Sequence, residues 1–414
     1  MNLLIYELKK IWNWRMIVII GVMGVLVWFT FLKDSLDSYD SLSKYGIYGS
    51  YQNEMFELYG DILDSEELDS YDIPGKKAEV IEELNDIIST ESIFKENNIT
   101  TYEEYVMFHE EISNASVRIV DEEKGSELLT IMQEKLENNA QSLEELYASP
   151  LNKLHALITL EGTYIFYKDY LQTRYIDNDS RPVVVQAANH ILDINNGNLI
   201  RYDLTSNFSN YVAGIGVFSL ISITILIAPF LTMDRMWGVN LIQYSSHVGR
   251  KIFSIQLVVT IFSAVFLSFL LIVLAYIPFM ANGAIDYWEA SVMAFHPGPG
   301  GLQLYDITFG QYACLLAGIV ILFNLCAATF TFVLARFSQN IIVMMMKIVP
   351  FCIATAGLLI ISVNDVFSDE NLIFNLLFQG KARFSEVLFG TIMGIVGLVI
   401  VWYLTKREKH VDVD

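Results

Sequence analysis

Long apolar runs alternate with polar stretches along this 414-residue chain, and six of the runs are long enough to form membrane-spanning helices. A membrane's hydrocarbon core is about 30 Å thick, so a helix needs about 17–25 largely apolar residues to cross it. Each of the six runs reaches or exceeds that length. We therefore predict six transmembrane helices, TM1 to TM6, at residues 16–32, 211–232, 252–280, 310–335, 341–363 and 387–404.

Residues 33–210 have a different pattern. Their apolar positions recur every three or four residues, as on one face of a helix, and sustained strand-type alternation does not occur. The pattern predicts an all-α polytopic membrane protein, with a mainly helical domain inserted between TM1 and TM2. Its clearest helix covers residues 76–90 and carries Val80, Ile81, Leu84, Ile87 and Ile88 on one face.

Residues 1–15 form a short amphipathic segment before TM1. Tryptophan and lysine beside an apolar face are typical of a helix that lies along the membrane surface. The predicted helix has its apolar residues on one face and its charged residues off that face, namely Leu4, Ile5, Leu8, Ile11 and Trp12 against Glu7, Lys9 and Lys10.

Positive charges predict the orientation of the chain. Lys and Arg next to transmembrane helices favour the cytoplasmic side. This rule places the N-terminus, the segment 233–251 and the tail 405–414 in the cytoplasm, and residues 33–210 and 364–386 outside it. Lys381 and Arg383 run against the rule. The residues that follow it are Lys9, Lys10, Arg15, Arg235, Arg250, Lys251, Arg336, Lys406, Arg407 and Lys409.

The net charge of −21 is concentrated in one segment. Residues 33–210 hold 35 of the 47 acidic and 13 of the 26 basic residues, a net of −22, so the other residues carry a net of +1. Such acidity argues against nucleic acid as a partner and favours cationic ligands, although a solubilising charge shell explains it equally simply. Clustered aspartates without an EF-hand spacing predict acidic surface and no metal site.

The cysteines are confined to the apolar part of the chain. The three cysteines, Cys314, Cys326 and Cys352, all lie in predicted transmembrane helices. The inserted domain therefore has neither a disulfide framework nor a cysteine-based metal site.

The polar segment between TM2 and TM3 carries the most informative motif. It reads Asp234-Arg-Met-Trp-Gly-Val-Asn-Leu-Ile-Gln-Tyr-Ser-Ser-His-Val-Gly-Arg-Lys251. An acidic residue, a glycine four residues later and an arginine twelve after that glycine resemble the cytoplasmic loop of ABC-2 type transporter permeases. The chain departs from that pattern with Asp for Glu, Val239 for Thr, His247 for Pro, and Gln256 and Leu257 where a lysine is expected.

The resemblance implies that residues 233–251 are a coupling loop that docks on an ATP-binding subunit, and that residues 1–15 are the family's elbow helix. It also implies a bacterial cell membrane location and a second permease copy or paralogue. The predicted coupling residues are Asp234, Gly238, Leu241, Tyr244, His247, Arg250 and Lys251.

Three further polar features lie in or beside the membrane. Lys347 is near the cytoplasmic end of TM5, where its side chain can reach the headgroups, and a role at a subunit interface or pore is the alternative. Asn324 in TM4 is predicted to hydrogen-bond between helices. Residues 364–386 hold an amphipathic stretch too short to cross, which is interpreted as a re-entrant or an interfacial helix.

The chain has no Gly-x4-Gly-Lys-Ser/Thr sequence with which to cradle ATP phosphates, and we find no catalytic constellation. We expect no enzyme activity and no directly bound cofactor, with ATP and Mg²⁺ on a partner ATPase. The expected function is an export permease, in a family that often serves antimicrobial peptide export or resistance. The expected partners are this ATPase, the second permease and membrane lipid. The alternative is a membrane-anchored sensor or interaction protein whose acidic domain binds a ligand without transport.

Overall fold

The computed structural model is almost entirely helical. It describes residues 3–37, 47–115, 122–194, 197–201, 203–238, 247–294 and 301–408. Within these ranges no strand forms, and the β-type pairing consists of isolated bridges such as the one between Gln303 and Ser368. The prediction of an all-α protein is confirmed for this part of the chain.

Six helices are long and apolar enough to cross a membrane, as predicted, and most extend beyond the predicted runs because polar residues continue the helix at its ends. The helix of TM2 is the clearest example. Its 33 residues span about 50 Å at about 1.5 Å per residue, which exceeds the hydrocarbon thickness. The spans are Trp14–Asp37, Leu204–Asp234, Ile252–Ala281, Phe309–Arg336, Ile341–Val363 and Ser385–Arg407.

TM2 and TM4 form the centre of the membrane part. In their most apolar windows, 72% of TM2 and 56% of TM4 is buried, against 11% of TM1 and 17% of TM5. Gly216 allows TM2 to pack closely on TM5, because a Cβ atom there would lie 2.7 Å from Leu359 Cδ2. TM1 and TM5 therefore present most of their apolar surface outward, as lipid-facing helices do.

Between TM1 and TM2 the chain forms the predicted helical domain. Its longest helix includes the predicted segment 76–90 and begins at Ile73, with Pro74 in the first turn, where proline is well tolerated. The helices are α2 Ile47–Tyr59, α3 Ser65–Tyr71, α4 Ile73–Thr90, α5 Ser92–Glu96, α6 Tyr102–Ala115, α7 Glu122–Leu136, α8 Leu143–Ala148, α9 Pro150–Tyr164, α10 Tyr167–Leu171 and α11 Pro182–Asp193, after α1 Leu3–Ile11 at the N-terminus.

The inserted domain packs around two separate cores. Helices α2 to α7 and α9 contribute to their own cluster, which includes the fully buried Leu84 and Leu157. Helices α10 and α11 instead share a core with the membrane part, where Leu171 and Val184 belong to the same cluster as Phe279. The end of the inserted domain is thus structurally continuous with the transmembrane bundle.

The segment between TM5 and TM6 lies on the same side as this domain and is attached to it by Arg181. The guanidinium pairs with Asp179 (Nη2 to Oδ2, 2.6 Å) and with Asp369 (Nη2 to Oδ2, 3.0 Å), and Nη1 donates to Asn375 Oδ1 at 2.8 Å. Regular structure in the segment is limited to a π-helical turn at Ile373–Leu377. The predicted helix is therefore reduced to one irregular turn.

We expect Leu157→Ala to lower the free energy of unfolding of the α2–α9 unit by about 2–5 kcal/mol, the range for a leucine truncated in a closed core. The matched control is Leu58→Ala on α2, because Leu58 is 60% exposed and should cost less than about 0.5 kcal/mol. The measurement is the urea midpoint at which the full chain in detergent becomes cleavable within this unit. Equal midpoints for the two variants would contradict the described core.

Candidate functional site

Helix α1 lies against the end of the bundle opposite the inserted domain and is partly buried there. Ile11 is fully buried, and Trp12 donates from Nε1 to Ser263 Oγ on TM3 at 3.0 Å. Glu7, which the sequence placed off the apolar face, is only 2% exposed. That placement was wrong because positions 4, 7, 8 and 11 share one face of a helix, and the carboxylate has polar partners below it.

Five polar side chains meet where α1 packs against the bundle, and Gln256 is at their centre. Its Nε2 donates to Asp234 Oδ2 at 3.0 Å and to Glu7 Oε2 at 3.3 Å, while its Oε1 accepts from Arg336 Nη1 at 3.4 Å. Lys10 Nζ lies 3.2 Å from Glu7 Oε1 and 3.5 Å from Asp234 Oδ1. We call these five residues the boundary network.

The boundary network is balanced in charge, and four of its five members are almost closed to solvent, whereas the Lys10 side chain is 30% exposed. Two carboxylates face two cations, and Gln256, Glu7, Arg336 and Asp234 are 0%, 2%, 7% and 9% exposed. Burial lowers the pKa of Lys10, but the charges of Asp234 and Glu7 outweigh that effect, so its pKa is raised. Lys10 therefore stays cationic at neutral pH, which a buried pair of carboxylates requires.

Four structural elements contribute to this network. Glu7 and Lys10 come from α1, Asp234 from the end of TM2, Gln256 from the first turns of TM3, and Arg336 from the last turn of TM4. The Arg336 guanidinium also lies over the Phe253 ring, with 4.4 Å between Cζ and the ring centroid. A displacement of any one element must change the contacts of the others, because they share the same few polar atoms.

The predicted coupling residues begin at this network. Asp234 is part of it, and Gly238 has a φ of +68°, a conformation in which glycine is favoured, just after the TM2 helix ends at Met236. Leu241 and Tyr244 lie outside the described residues. The helix that becomes TM3 starts at His247, so the last residues of the predicted loop 233–251, including Arg250 and Lys251, are helical.

The two polar residues predicted within the membrane have separate positions. Asn324 Nδ2 donates to Ser219 Oγ at 2.7 Å and to Ser268 Oγ at 3.0 Å, which links TM4 to TM2 and TM3. Lys347 Nζ donates to the carbonyl oxygen of Phe337 at 3.3 Å, just past the end of TM4. Among the described residues, the hydrogen bonds of Asn324 and Lys347 do not involve the boundary network.

Sequence reasoning identified Asp234 as a site residue but missed the other four members of the network. The sequence marks Gln256 only by its departure from a family pattern, Arg336 and Lys10 by their positive charge, and Glu7 as a charged residue off the apolar face of α1. A usable signal was present. Polar residues at the ends of apolar spans are costly to bury, and four of them come at the ends of adjacent segments.

No protein-family model, no curated protein and no solved structure matches the chain.

We expect Lys10→Met to lower the unfolding temperature of the full chain in detergent, because it leaves two buried carboxylates with one cation. The matched control is Lys9→Met, since Lys9 is exposed and lies outside the network. The double variant Lys10→Met/Asp234→Asn should cost less than the sum of its two single variants, as residues of one charge network couple.

The pH dependence gives a second readout. The raised pKa of Lys10 means that its contribution is complete below the unfolded lysine pKa of about 10.4 and is lost only as pH rises through the higher folded value. The Lys10→Met deficit should therefore be equal at pH 6 and pH 8. Strictly additive effects, or a deficit no larger than that of Lys9→Met, would contradict the network.

Proposed function

We propose that this chain is the membrane-spanning permease subunit of an ATP-driven ABC-2 type exporter, which couples to a separate ATPase chain. The observation that carries the proposal is the position of Asp234. It is the first residue of the motif that resembles a coupling loop, and it is held in the boundary network by Lys10 and Gln256. Six membrane-spanning helices supply the matching architecture.

In this proposal the network transmits movement of the loop to the bundle. An ATPase that docks on residues 233–251 would pull on Asp234 as it closes around ATP. Separating Asp234 from its cation in a low-dielectric environment is expensive. The loop, α1 and the adjoining ends of TM3 and TM4 would therefore move together, because a joint displacement keeps the charge pairs intact.

The energy source and the second half of the transporter would come from other chains. This sequence lacks a phosphate-binding loop for ATP, so ATP and Mg²⁺ would bind on the ATPase. A second permease copy or a paralogue would pair with this chain around a two-fold axis, the commonest closed symmetry. The outward apolar faces of TM1 and TM5 are available for such a partner and for lipid.

Residues 33–210 would lie outside the cytoplasm of a bacterial cell and receive cargo there. Their net charge of −22, from 35 acidic and 13 basic residues, attracts cations, so we propose cationic antimicrobial peptides as the cargo. The network favours this transport function over a membrane-anchored sensor, since a sensor has no need for a polar junction between α1 and three transmembrane helices.

The coupling role predicts that Leu241→Asp/Tyr244→Asp separates the ATPase from the permease while membrane insertion stays normal, because apolar anchors dominate an interface and each is worth about 2 kcal/mol or more. Met107→Asp is the control, since Met107 is exposed on the inserted domain. The measurement is ATP hydrolysis by the affinity-purified full chain and its partner. Equal hydrolysis in both variants would contradict the coupling loop, and a wild-type chain that brings no ATP-hydrolysing subunit would favour the sensor.

The cargo proposal predicts salt-sensitive binding of a cationic antimicrobial peptide to the full chain in nanodiscs. Affinity should fall as salt shortens the Debye length from about 10 Å at 0.1 M to about 3 Å at 1 M. A peptide of the same sequence with its lysines acetylated is the matched control and should bind weakly at every salt concentration. Salt-independent binding, or equal binding of the acetylated peptide, would remove the electrostatic argument for this cargo.

A further inference from the structure

The segment between TM5 and TM6 presents a row of exposed leucines. Leu372, Leu376 and Leu377 are 49%, 70% and 56% exposed, whereas Ile373 and Phe374 between them are buried. The segment thus has one face packed on the protein and one apolar face without cover in the described residues. Apolar surface is unfavourable in water in proportion to its area, so this face requires an apolar environment.

The leucines are fixed in place and cannot fold inward. Arg181 donates to Asn375 Oδ1 at 2.8 Å, and the backbone N–H groups of Ile373 and Phe374 donate to Asn371 Oδ1 at 2.8 and 3.1 Å. The segment also begins just after TM5 ends at Val363 and finishes where TM6 starts at Ser385. Both of its ends are therefore continuous with membrane-spanning helices.

Two cations follow the leucines at the start of TM6. Lys381 and Arg383 are exposed, and neither has an acidic partner among the described residues. Their hydrogen bonds go to neutral amides, from Lys381 to Gln379 and from Arg383 to Gln186. Lys381 and Arg383 are also the two residues that depart from the positive-inside rule. The inserted domain, which Arg383 contacts through Gln186, carries the opposite net charge.

A cavity of about 330 Å³ opens beside Arg383. Gln186, Tyr305 and Phe384 are among its lining residues. Asp306 also lines the cavity, and its carboxylate accepts a hydrogen bond from Ser291 Oγ at 2.7 Å and lies 3.4 Å from His190 Nε2. The cavity provides space for a polar headgroup next to the Arg383 guanidinium, which has no acidic partner in the described part of the chain.

We propose that the leucine face is inserted in the membrane interface, and that Lys381 and Arg383 bind the phosphate of an anionic lipid headgroup there. Apolar residues beside cations are the combination that selects an anionic membrane surface, and a guanidinium is suited to hold a phosphate. The proposal goes beyond the transport function and does not depend on an ATPase, a cargo or the sidedness of the chain.

The first test measures lipid selectivity of the full chain in nanodiscs of phosphatidylcholine with increasing phosphatidylglycerol. We expect phosphatidylglycerol to stay bound to the chain when it is extracted from the nanodiscs with detergent. The variant Lys381→Gln/Arg383→Gln should weaken that retention by at least about fivefold, which is the effect of removing one surface charge. The matched control Lys95→Gln/Lys153→Gln removes two charges from the α2–α9 unit and should retain the lipid. Equal retention by both variants, equal retention of phosphatidylcholine, or full competition by inorganic phosphate would overturn the proposal.

The second test locates the leucine face and stands even if the charge variants fold poorly. A nitroxide is attached at Leu376→Cys, and in a separate protein at Met107→Cys, in chains whose three native cysteines are alanine. The label at 376 should be relaxed by oxygen and shielded from a water-soluble nickel chelate, and the label at 107 should show the reverse. A label at 376 that is open to the chelate, or that couples magnetically to a second copy, would overturn membrane insertion.

Discussion

The cost of burying charge governs the structure at the end of the bundle opposite the inserted domain. Glu7 and Asp234 are nearly inaccessible to water, and an unpaired buried carboxylate would be strongly destabilising. Lys10 and Arg336 supply the opposite charge, and Gln256 offers both a donor and an acceptor between them. The position of α1 and the ends of TM2, TM3 and TM4 all follow from the need to keep these groups together.

The same constraint acts at the other end of the molecule with different consequences. Arg181 satisfies Asp179, Asp369 and Asn375 at once and thereby joins the inserted domain to the segment before TM6. The loop between TM3 and TM4 is tied in by Asn198, which donates to the carbonyl oxygen of Met293 at 2.7 Å. The membrane-proximal part of the inserted domain is therefore built into the bundle, whereas helices α2 to α9 keep a core of their own.

The sequence predicted the helices well because their causes are local. Apolar length alone locates the transmembrane helices, and the spacing of Val80, Leu84 and Ile88 locates α4. The boundary network was not predicted, because it joins α1 to residues more than 200 positions away in sequence, as the contact between Glu7 and Gln256 does. Helical spacing alone could not reveal that the face carrying Glu7 would meet TM3, since that contact depends on the tertiary arrangement of the spans.

TM2 connects the two polar ends. Its helix starts at Leu204, directly after Asp203, which is buried and paired with Arg201 at 2.5 Å, and it continues to Asp234 in the boundary network. Pro229 interrupts its hydrogen bonding about one turn before Asp234 and offers a point at which the end that carries Asp234 can bend. Because Asp234 is paired with Lys10 and the middle of TM2 packs against TM4, a displacement at Asp234 can have two consequences. It can bend TM2 at Pro229, or it can move the whole helix and the inserted domain with it.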